Sequence, residues 1–165
     1  MAPDENRATR VLLVDDEQDL VDYLSQRLVK RGCTVRAVTS GAAALATAAE
    51  QTFDVAVVDL KMPNMDGIAV IKALKARQPF MEIIMLTGHG SHDSALEAGR
   101  LQAHQYLLKP YDFDQLVEKI ESAASARRLA LQEQFQRELK DLRKRLSARE
   151  IKEEAERLRR KYEQP

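Results

Sequence analysis

The chain has 165 residues, of which 44% are hydrophobic and 32% charged, and its 26 basic residues balance 26 acidic ones. No stretch is apolar for the roughly 18 residues that a membrane span needs, and the first nine residues are polar, so we expect a cytoplasmic protein without membrane insertion. The single cysteine, Cys33, cannot form an internal disulfide and is expected to pack as a small apolar group.

Charge divides the chain into two parts. Residues 122–165 hold 13 basic and 8 acidic residues, so this part is net +5 and residues 1–121 are net −5. Acids such as Glu133 and Glu150 are interleaved with the bases and aromatic residues are few, so a nucleic-acid-binding arm or a membrane-surface helix fits poorly. The prediction is three segments: a disordered N-terminus at 1–8, a globular domain at 9–122 and a charged, helical, coiled-coil-like extension at 123–165.

Short apolar runs predict five β-strands separated by segments of helical spacing. The runs are Val11–Val14, Thr34–Val38, Val55–Val58, Ile83–Leu86 and Tyr106–Leu108. Continuous apolar runs indicate strands covered on both faces, and their alternation with helices indicates βαβ crossovers. The second run carries Arg36 and follows Gly32, so we expect an edge strand there. The predicted fold is α/β, a doubly wound parallel sheet.

Five polar residues each follow one of these strands. They are Asp15, Asp16, Asp59, Thr87 and Lys109. Carboxyl ends of parallel strands meet at one edge of a sheet, so we expect these side chains to form one site. Three carboxylates would repel one another unless a cation neutralised them, and Mg²⁺, or Mn²⁺ in its place, suits oxygen ligands with open positions.

The residue types at this site favour phosphoryl transfer. Asp59, after the central strand, is the expected nucleophile and would form an aspartyl phosphate. Lys109 would pair with the phosphate and Thr87 would donate its hydroxyl to a phosphate oxygen. These residues could also have purely structural roles, with Asp16 or Asp66 as a helix N-cap and Lys109 as a surface charge. One site is favoured because the alternative needs five independent coincidences.

Four blocks of sequence resemble the receiver domain of two-component response regulators, over residues 9–122. The blocks are Val14–Glu17, Asp59–Gly67, Leu86–Gly90 and Tyr106–Pro110. The Thr-Gly-His-Gly stretch is similar to receivers of the nitrogen-regulator class, which usually precede an ATPase domain, although none follows in this sequence. The resemblance implies a flavodoxin-like five-stranded sheet in the order 2-1-3-4-5. It also implies a phosphorylation switch in which a sensor histidine kinase or phosphotransfer protein donates a phosphoryl group to Asp59.

The resemblance also assigns metal-binding and tuning roles. Asp15 and Asp16 match the acidic pair that binds Mg²⁺ with the phosphoacceptor Asp59, and the backbone carbonyl of Lys61 is expected to complete the protein's ligands. Lys61 and His89 occupy positions that flank the path of the hydrolytic water. We therefore expect their side chains to tune the lifetime of the phosphate rather than to perform the chemistry.

Switch residues follow from the same resemblance. Thr87 matches the switch hydroxyl and Tyr106 the switch aromatic, which would turn inward when Thr87 moves toward phosphate. The Lys109–Pro110 bond matches one that is typically cis. Residues 102–105 depart from the family's Gly-Ala-x-Asp, and His104 within them is expected to be a surface residue rather than a ligand.

The extension is helical by pattern. After Asp112, a candidate N-cap with Gln115 three residues on, no glycine or proline occurs before Pro165, which allows one helix of about 75 Å to the end. Its apolar positions are Leu131, Phe135, Leu139, Leu142, Leu146, Ile151, Ala155, Leu158 and Tyr162. A register break near Ser147–Ala148 indicates a kink, a hairpin or a change of partner. Because a lone helix would leave its stripe exposed, we expect a homodimer or docking onto a partner helix.

Two classes of function remain open. The first is a phosphorylation-dependent signalling protein that acts through protein contacts of its switch face and tail, with no small-molecule substrate and no substrate turnover. The second is a phosphate-independent adaptor that keeps the fold. Clustered carboxylates beside a lysine favour the first, because an adaptor has no physical need for them. The chain could also be the receiver fragment of a longer regulator, with the tail as a connector.

Overall fold

A computed structural model describes residues 7–62, 65–88, 105–146 and 148–163, and the chain alternates strands and helices through most of them. The strands of the main sheet are β1 (Arg10–Val14), β2 (Thr34–Val38), β3 (Val55–Asp59), β4 (Glu82–Thr87) and β5 (Gln105–Leu108). The helices are α1 (Gln18–Lys30), α2 (Gly41–Glu50), α3 (Gly67–Arg77), α4 (Phe113–Arg145) and α5 (Ala148–Glu163). Lys61–Met62 and Met65–Asp66 form a short antiparallel pair between β3 and α3.

All five strands of the main sheet are parallel, in the spatial order β2-β1-β3-β4-β5. The predicted fold and strand order are confirmed, including the edge position of Thr34–Val38. Each predicted strand agrees with the observed one to within a residue at either end. Because the strands run in one direction, the residues that follow them gather at a single edge of the sheet.

Helices cover both faces of the sheet, and the central strands bury alternate residues on opposite faces. Val11 and Leu13 pack in a cluster with side chains of α1 and α4, whereas Leu12 and Val14 pack with side chains of α2 and α3. All four are fully buried. Burial on both faces explains why these strands are continuous apolar runs in the sequence. Cys33 is half-buried and packs against the first cluster, as expected.

The C-terminal extension is a helical hairpin rather than the single helix that the absence of glycine and proline allowed. Helix α4 ends at Arg145, Leu146 is extended with φ −124° and ψ 155°, and α5 begins at Ala148. The hairpin is one of the three alternatives that the register break indicated. Folding back lets the two apolar stripes contact each other, which a single rod in water could not do.

Helix α4 crosses the boundary between the globular part and the extension without interruption. The backbone N–H of Asp112 donates to Gln115 Oε1 at 3.3 Å at its start, in the predicted capping pattern. Ala123 and Ala124 are buried in the core cluster with α1. None of the described helices combines the length and the apolar character that a membrane span requires. The first six residues of the predicted disordered N-terminus lie outside the described part of the chain.

Candidate functional site

Three carboxylates converge at the carboxyl edge of the sheet. Asp15 follows β1 and is fully buried, Asp16 beside it is exposed, and Asp59 ends β3 with 4% of its surface accessible. One oxygen from each lies within 4.8 Å of the other two. Val14 and Val58 are register partners in β1 and β3, so the residues after them emerge side by side. A set of hard oxygen donors at this spacing fits Mg²⁺ or Mn²⁺.

Lys109 brings a positive charge to this cluster. Its backbone N–H donates to the carbonyl of Thr87 at 2.8 Å, which holds the residue after β5 against the end of β4. Its Nζ lies 3.1 Å from Asp15 Oδ2 and 3.2 Å from Asp59 Oδ2. Burial lowers the pKa of Lys109, but the hydrogen bonds and charges of Asp15 and Asp59 outweigh it and raise the pKa above its ordinary value. The Lys109–Pro110 bond is cis, as the resemblance implied.

Backbone groups orient the two buried carboxylates. The N–H of Glu17 donates to Asp15 Oδ1 at 3.0 Å, and the N–H of Lys61 donates to Asp59 Oδ1 at 3.1 Å. Lys109 contacts the second oxygen of each. Each buried carboxylate therefore has a backbone donor on one oxygen and a charged donor on the other, which fixes its orientation before any ligand binds.

Gly67 is a site-supporting residue that the sequence pattern did not reveal. A Cβ on Gly67 would lie 2.9 Å from the Cα of Leu60 and 3.0 Å from the carbonyl oxygen of Asp59. The start of α3 therefore packs directly on the backbone that follows Asp59. In the sequence, Gly67 stood out only as the last residue of the Asp59–Gly67 block and as the residue after Asp66, a candidate helix N-cap. That cap is present, because Asp66 Oδ1 accepts from the N–H of Ile68 at 2.9 Å, whereas the N-cap of α1 is Glu17 rather than Asp16.

The remaining predicted residues lie around this edge or outside the described residues. Thr87 ends β4, is 5% exposed and has Leu108 as its register partner in β5. Tyr106 is 41% exposed and therefore turned outward. Lys61 Nζ lies 3.9 Å from where a Cβ of Gly88 would be, so its side chain reaches the residue after Thr87. His89 and His104 lie outside the described residues.

A second charged cluster, which the sequence analysis also missed, lies at the opposite end of the sheet, where the strands begin. Asp54 precedes β3, and its Oδ1 is 2.9 Å from Arg10 Nη2 and 2.8 Å from Arg127 Nη1. Burial raises the pKa of Asp54, but hydrogen bonds from Arg10 and the charges of both arginines lower it below its ordinary value. The cluster fastens α4, at a point beyond residue 122, to the amino ends of β1 and β3.

Comparison with known proteins agrees with this geometry. Residues 11–121 match the model of the response regulator receiver domain. The chain is 37% identical over 115 residues to the DNA-binding transcriptional regulator NtrC of Escherichia coli (strain K12), which covers 70% of this chain and 24% of that protein. It is 40% identical over 113 residues to the transcriptional regulatory protein ZraR of Salmonella typhimurium, or 68% of this chain and 26% of that protein.

A solved structure shows the same fold. The chemotaxis protein CheY4 of Vibrio cholerae aligns with a TM-score of 0.67 and 30% identity, over 70% of this chain and 98% of that one. The fold and site define a phosphoacceptor module of the CheY-like, flavodoxin-like class. The chain belongs to the response regulator receiver domain family of two-component systems. It spans about a quarter of the length of the two curated relatives.

Proposed function

We propose that this chain is a phosphorylation-dependent switch that accepts a phosphoryl group on Asp59 from a histidine kinase or phosphotransfer protein. The observation that carries the proposal is the meeting of the Asp15, Asp16 and Asp59 carboxylates with the ammonium of Lys109. Three acids and one lysine leave the cluster net negative. A divalent cation relieves that excess and draws a phosphoryl group into the same site.

The acids and Lys109 divide the chemistry between them. Asp15, Asp16 and Asp59, with the backbone carbonyl of Lys61, would hold Mg²⁺, which when bound offsets charge on the incoming phosphoryl group. A carboxylate oxygen of Asp59 attacks phosphorus, the bond from phosphorus to the donor's histidine nitrogen breaks, and the departing imidazole takes one proton from solvent. The ammonium of Lys109 pairs with the transferred phosphoryl oxygens, and the Thr87 hydroxyl donates to one of them.

The response to phosphate passes through Thr87 and Tyr106. Tyr106 stands outward and is the register partner of Met85, two residues before Thr87 on the neighbouring strand. Movement of Thr87 toward the phosphoryl group vacates space into which Tyr106 turns, and this remodels the adjoining surface. The output is a change in contact with a partner helix or a second copy, involving the switch face and the C-terminal extension. The proposed function is therefore signalling in the cytoplasm, without turnover of a separate substrate.

A labelling experiment tests the proposal. The full chain is incubated with Mg²⁺ and a small phosphoryl donor such as acetyl phosphate, and its intact mass is measured. We expect one phosphoryl group on the wild type and on Asp22→Asn, which alters an exposed acid of α1, and none on Asp59→Asn. Equal labelling of Asp59→Asn would overturn the assignment. A folded wild type that takes up no label would leave the phosphate-independent adaptor.

A further inference from the structure

An elongated groove of about 810 Å³ runs along the C-terminal hairpin, away from the carboxylate site. On α4 its wall extends from Ala124 to Arg143, about 28 Å at roughly 1.5 Å per residue. Helix α5 forms the second wall, and the N-terminal strap Arg7–Thr9 with Asp54 closes one side at the base of the sheet. The groove is therefore about as long as an α-helix of five turns.

The walls of the groove are apolar and only partly covered. Leu131, Phe135 and Leu139 contribute from α4, and Ile151 and Tyr162 from α5. All five side chains are half-buried although α4 and α5 pack together. A two-helix hairpin is one layer of structure and cannot bury its own apolar face completely, so a further element is needed to cover it.

The charge around the groove is positive. Five arginines line it, namely Arg7, Arg127, Arg128, Arg143 and Arg159. Among the described lining residues the one acid is Asp54, and it is already paired with Arg10 and Arg127. An occupant with carboxylates beside an apolar stripe would therefore match the groove in both shape and charge.

We propose that this groove binds an acidic amphipathic helix of a partner protein. The apolar stripe of that helix covers Phe135 and its neighbours, and its flanking carboxylates pair with Arg128 and Arg143. A second copy of this chain is a poorer occupant, because a two-fold contact through the same face would bring two arginine-lined extensions of net +5 together. A flat bilayer is also a poorer occupant, since the base of the sheet stands above one side of the groove.

The inference deepens the output half of the proposed function and rests on it only for regulation by phosphate. The groove reaches Asp54, which precedes β3, whereas the phosphoacceptor Asp59 ends the same strand. Binding to the groove can therefore be measured in Asp59→Asn. Binding that persists in that variant supports the groove even if labelling of the wild type fails. A wild type that is phosphorylated but binds no peptide would contradict the groove proposal and leave the proposed function intact.

The test uses two synthetic 18-residue peptides with leucines at helical spacing, one flanked by glutamates and one by lysines. Binding of each fluorescent peptide to the full chain is followed by anisotropy. We expect the glutamate peptide to bind at least about tenfold more tightly than the lysine peptide, with affinity that falls as salt rises. The double variant Arg128→Glu/Arg143→Glu should reverse this preference.

Matched controls separate the groove from general charge. Arg137→Glu/Lys140→Glu makes the same charge change on exposed positions of α4 that do not line the groove, and we expect it to keep the glutamate preference. Equal binding of both peptides, no binding by the folded chain, or equal loss in the control pair would overturn the proposal. So would a dimer in light scattering that Phe135→Ala converts to monomer, or binding to anionic phospholipid vesicles in place of the peptide.

Discussion

At the scale of residues, Lys109 holds the site together. Its ammonium bridges Asp15 and Asp59, and its backbone N–H binds the carbonyl of Thr87, so one residue connects the ends of three strands. The raised pKa of Lys109 keeps it charged throughout the neutral range. Its stabilisation is therefore fully present below the ordinary lysine pKa of about 10.4 and is lost only as pH rises through the higher folded value.

Lys61 offers a test of a single side chain. Its backbone N–H donates to Asp59 Oδ1, and its Nζ reaches Gly88, the residue after Thr87. Lys61→Ala removes a side chain next to the carboxylate site and should let water reach it more easily, so we expect the phosphorylated protein to lose its phosphate several-fold faster than the wild type. The decay of phosphorylated protein by mass spectrometry measures this. Lys72→Ala, an exposed lysine of α3, serves as the control, and equal lifetimes in Lys61→Ala and wild type would contradict the role.

At the scale of elements, the packing of α3 on the segment after β3 depends on Gly67. Gly67→Ala places a methyl group 2.9 Å from the Cα of Leu60, so backbone must shift. Overpacking of this kind costs about 1–3 kcal/mol, and we expect that loss in chemical unfolding. Among the described residues, the nearest atom to a Cβ at Gly88 is Lys61 Nζ at 3.9 Å, so we expect Gly88→Ala to be close to neutral. Equal stability of the two variants would show that α3 adjusts freely.

The junction between the sheet and α4 depends on Asp54. Because its pKa is lowered, the stabilisation from its pairing with Arg10 and Arg127 is present above the ordinary aspartate pKa of about 3.9 and is lost as pH falls through the lower folded value. Asp54→Asn should lower stability at pH 7 by about 1–3 kcal/mol. Chemical unfolding between neutral pH and about pH 3 should show this deficit shrinking toward the acid end. A deficit that does not change with pH would exclude the ion pairs as its cause.

The elements differ in how far the sequence could predict them. Val11–Val14 and Val55–Val58 were predictable because burial on both faces leaves an unbroken apolar run, and Asp15 and Asp59 followed because they come directly after such runs. The hairpin turn at Leu146 has no glycine or proline, so only a change of apolar register signalled it. The two arms of the hairpin contact each other through residues such as Glu138 and Tyr162, which are 24 positions apart. A local sequence pattern cannot predict a contact over that distance.

The second charged cluster was missed for a related reason. Arg10 begins β1 and Asp54 directly precedes β3, so both lie where parallel strands start. The argument that placed the acids together at the carboxyl ends of the strands could also have placed this pair together at the amino ends. Their third partner, Arg127, comes from a helix whose path along the sheet is set by packing rather than by its own sequence. Its contact with Asp54 therefore required the three-dimensional structure.

At the scale of the whole molecule, strand β3 connects two edges with different tasks. Its carboxyl end carries Asp59 among the acids, and its amino end follows Asp54, which is tied to the C-terminal extension. The carboxylate site therefore lies at one end of β3, and the arginine-lined hairpin is attached at the other. A phosphoryl group at one end and a partner bound at the other would therefore act on the two ends of the same strand.

The meeting of the acids and Lys109 around a phosphoryl group is tested most directly by ¹⁹F NMR of the full chain with beryllofluoride and Mg²⁺. Beryllofluoride mimics the phosphoryl group and needs the Asp59 carboxylate and the cation together. We expect a protein-bound fluorine signal in the wild type that disappears without Mg²⁺ and in Asp59→Asn. A folded wild type with no bound signal, or a bound signal that survives in Asp59→Asn, would contradict the account.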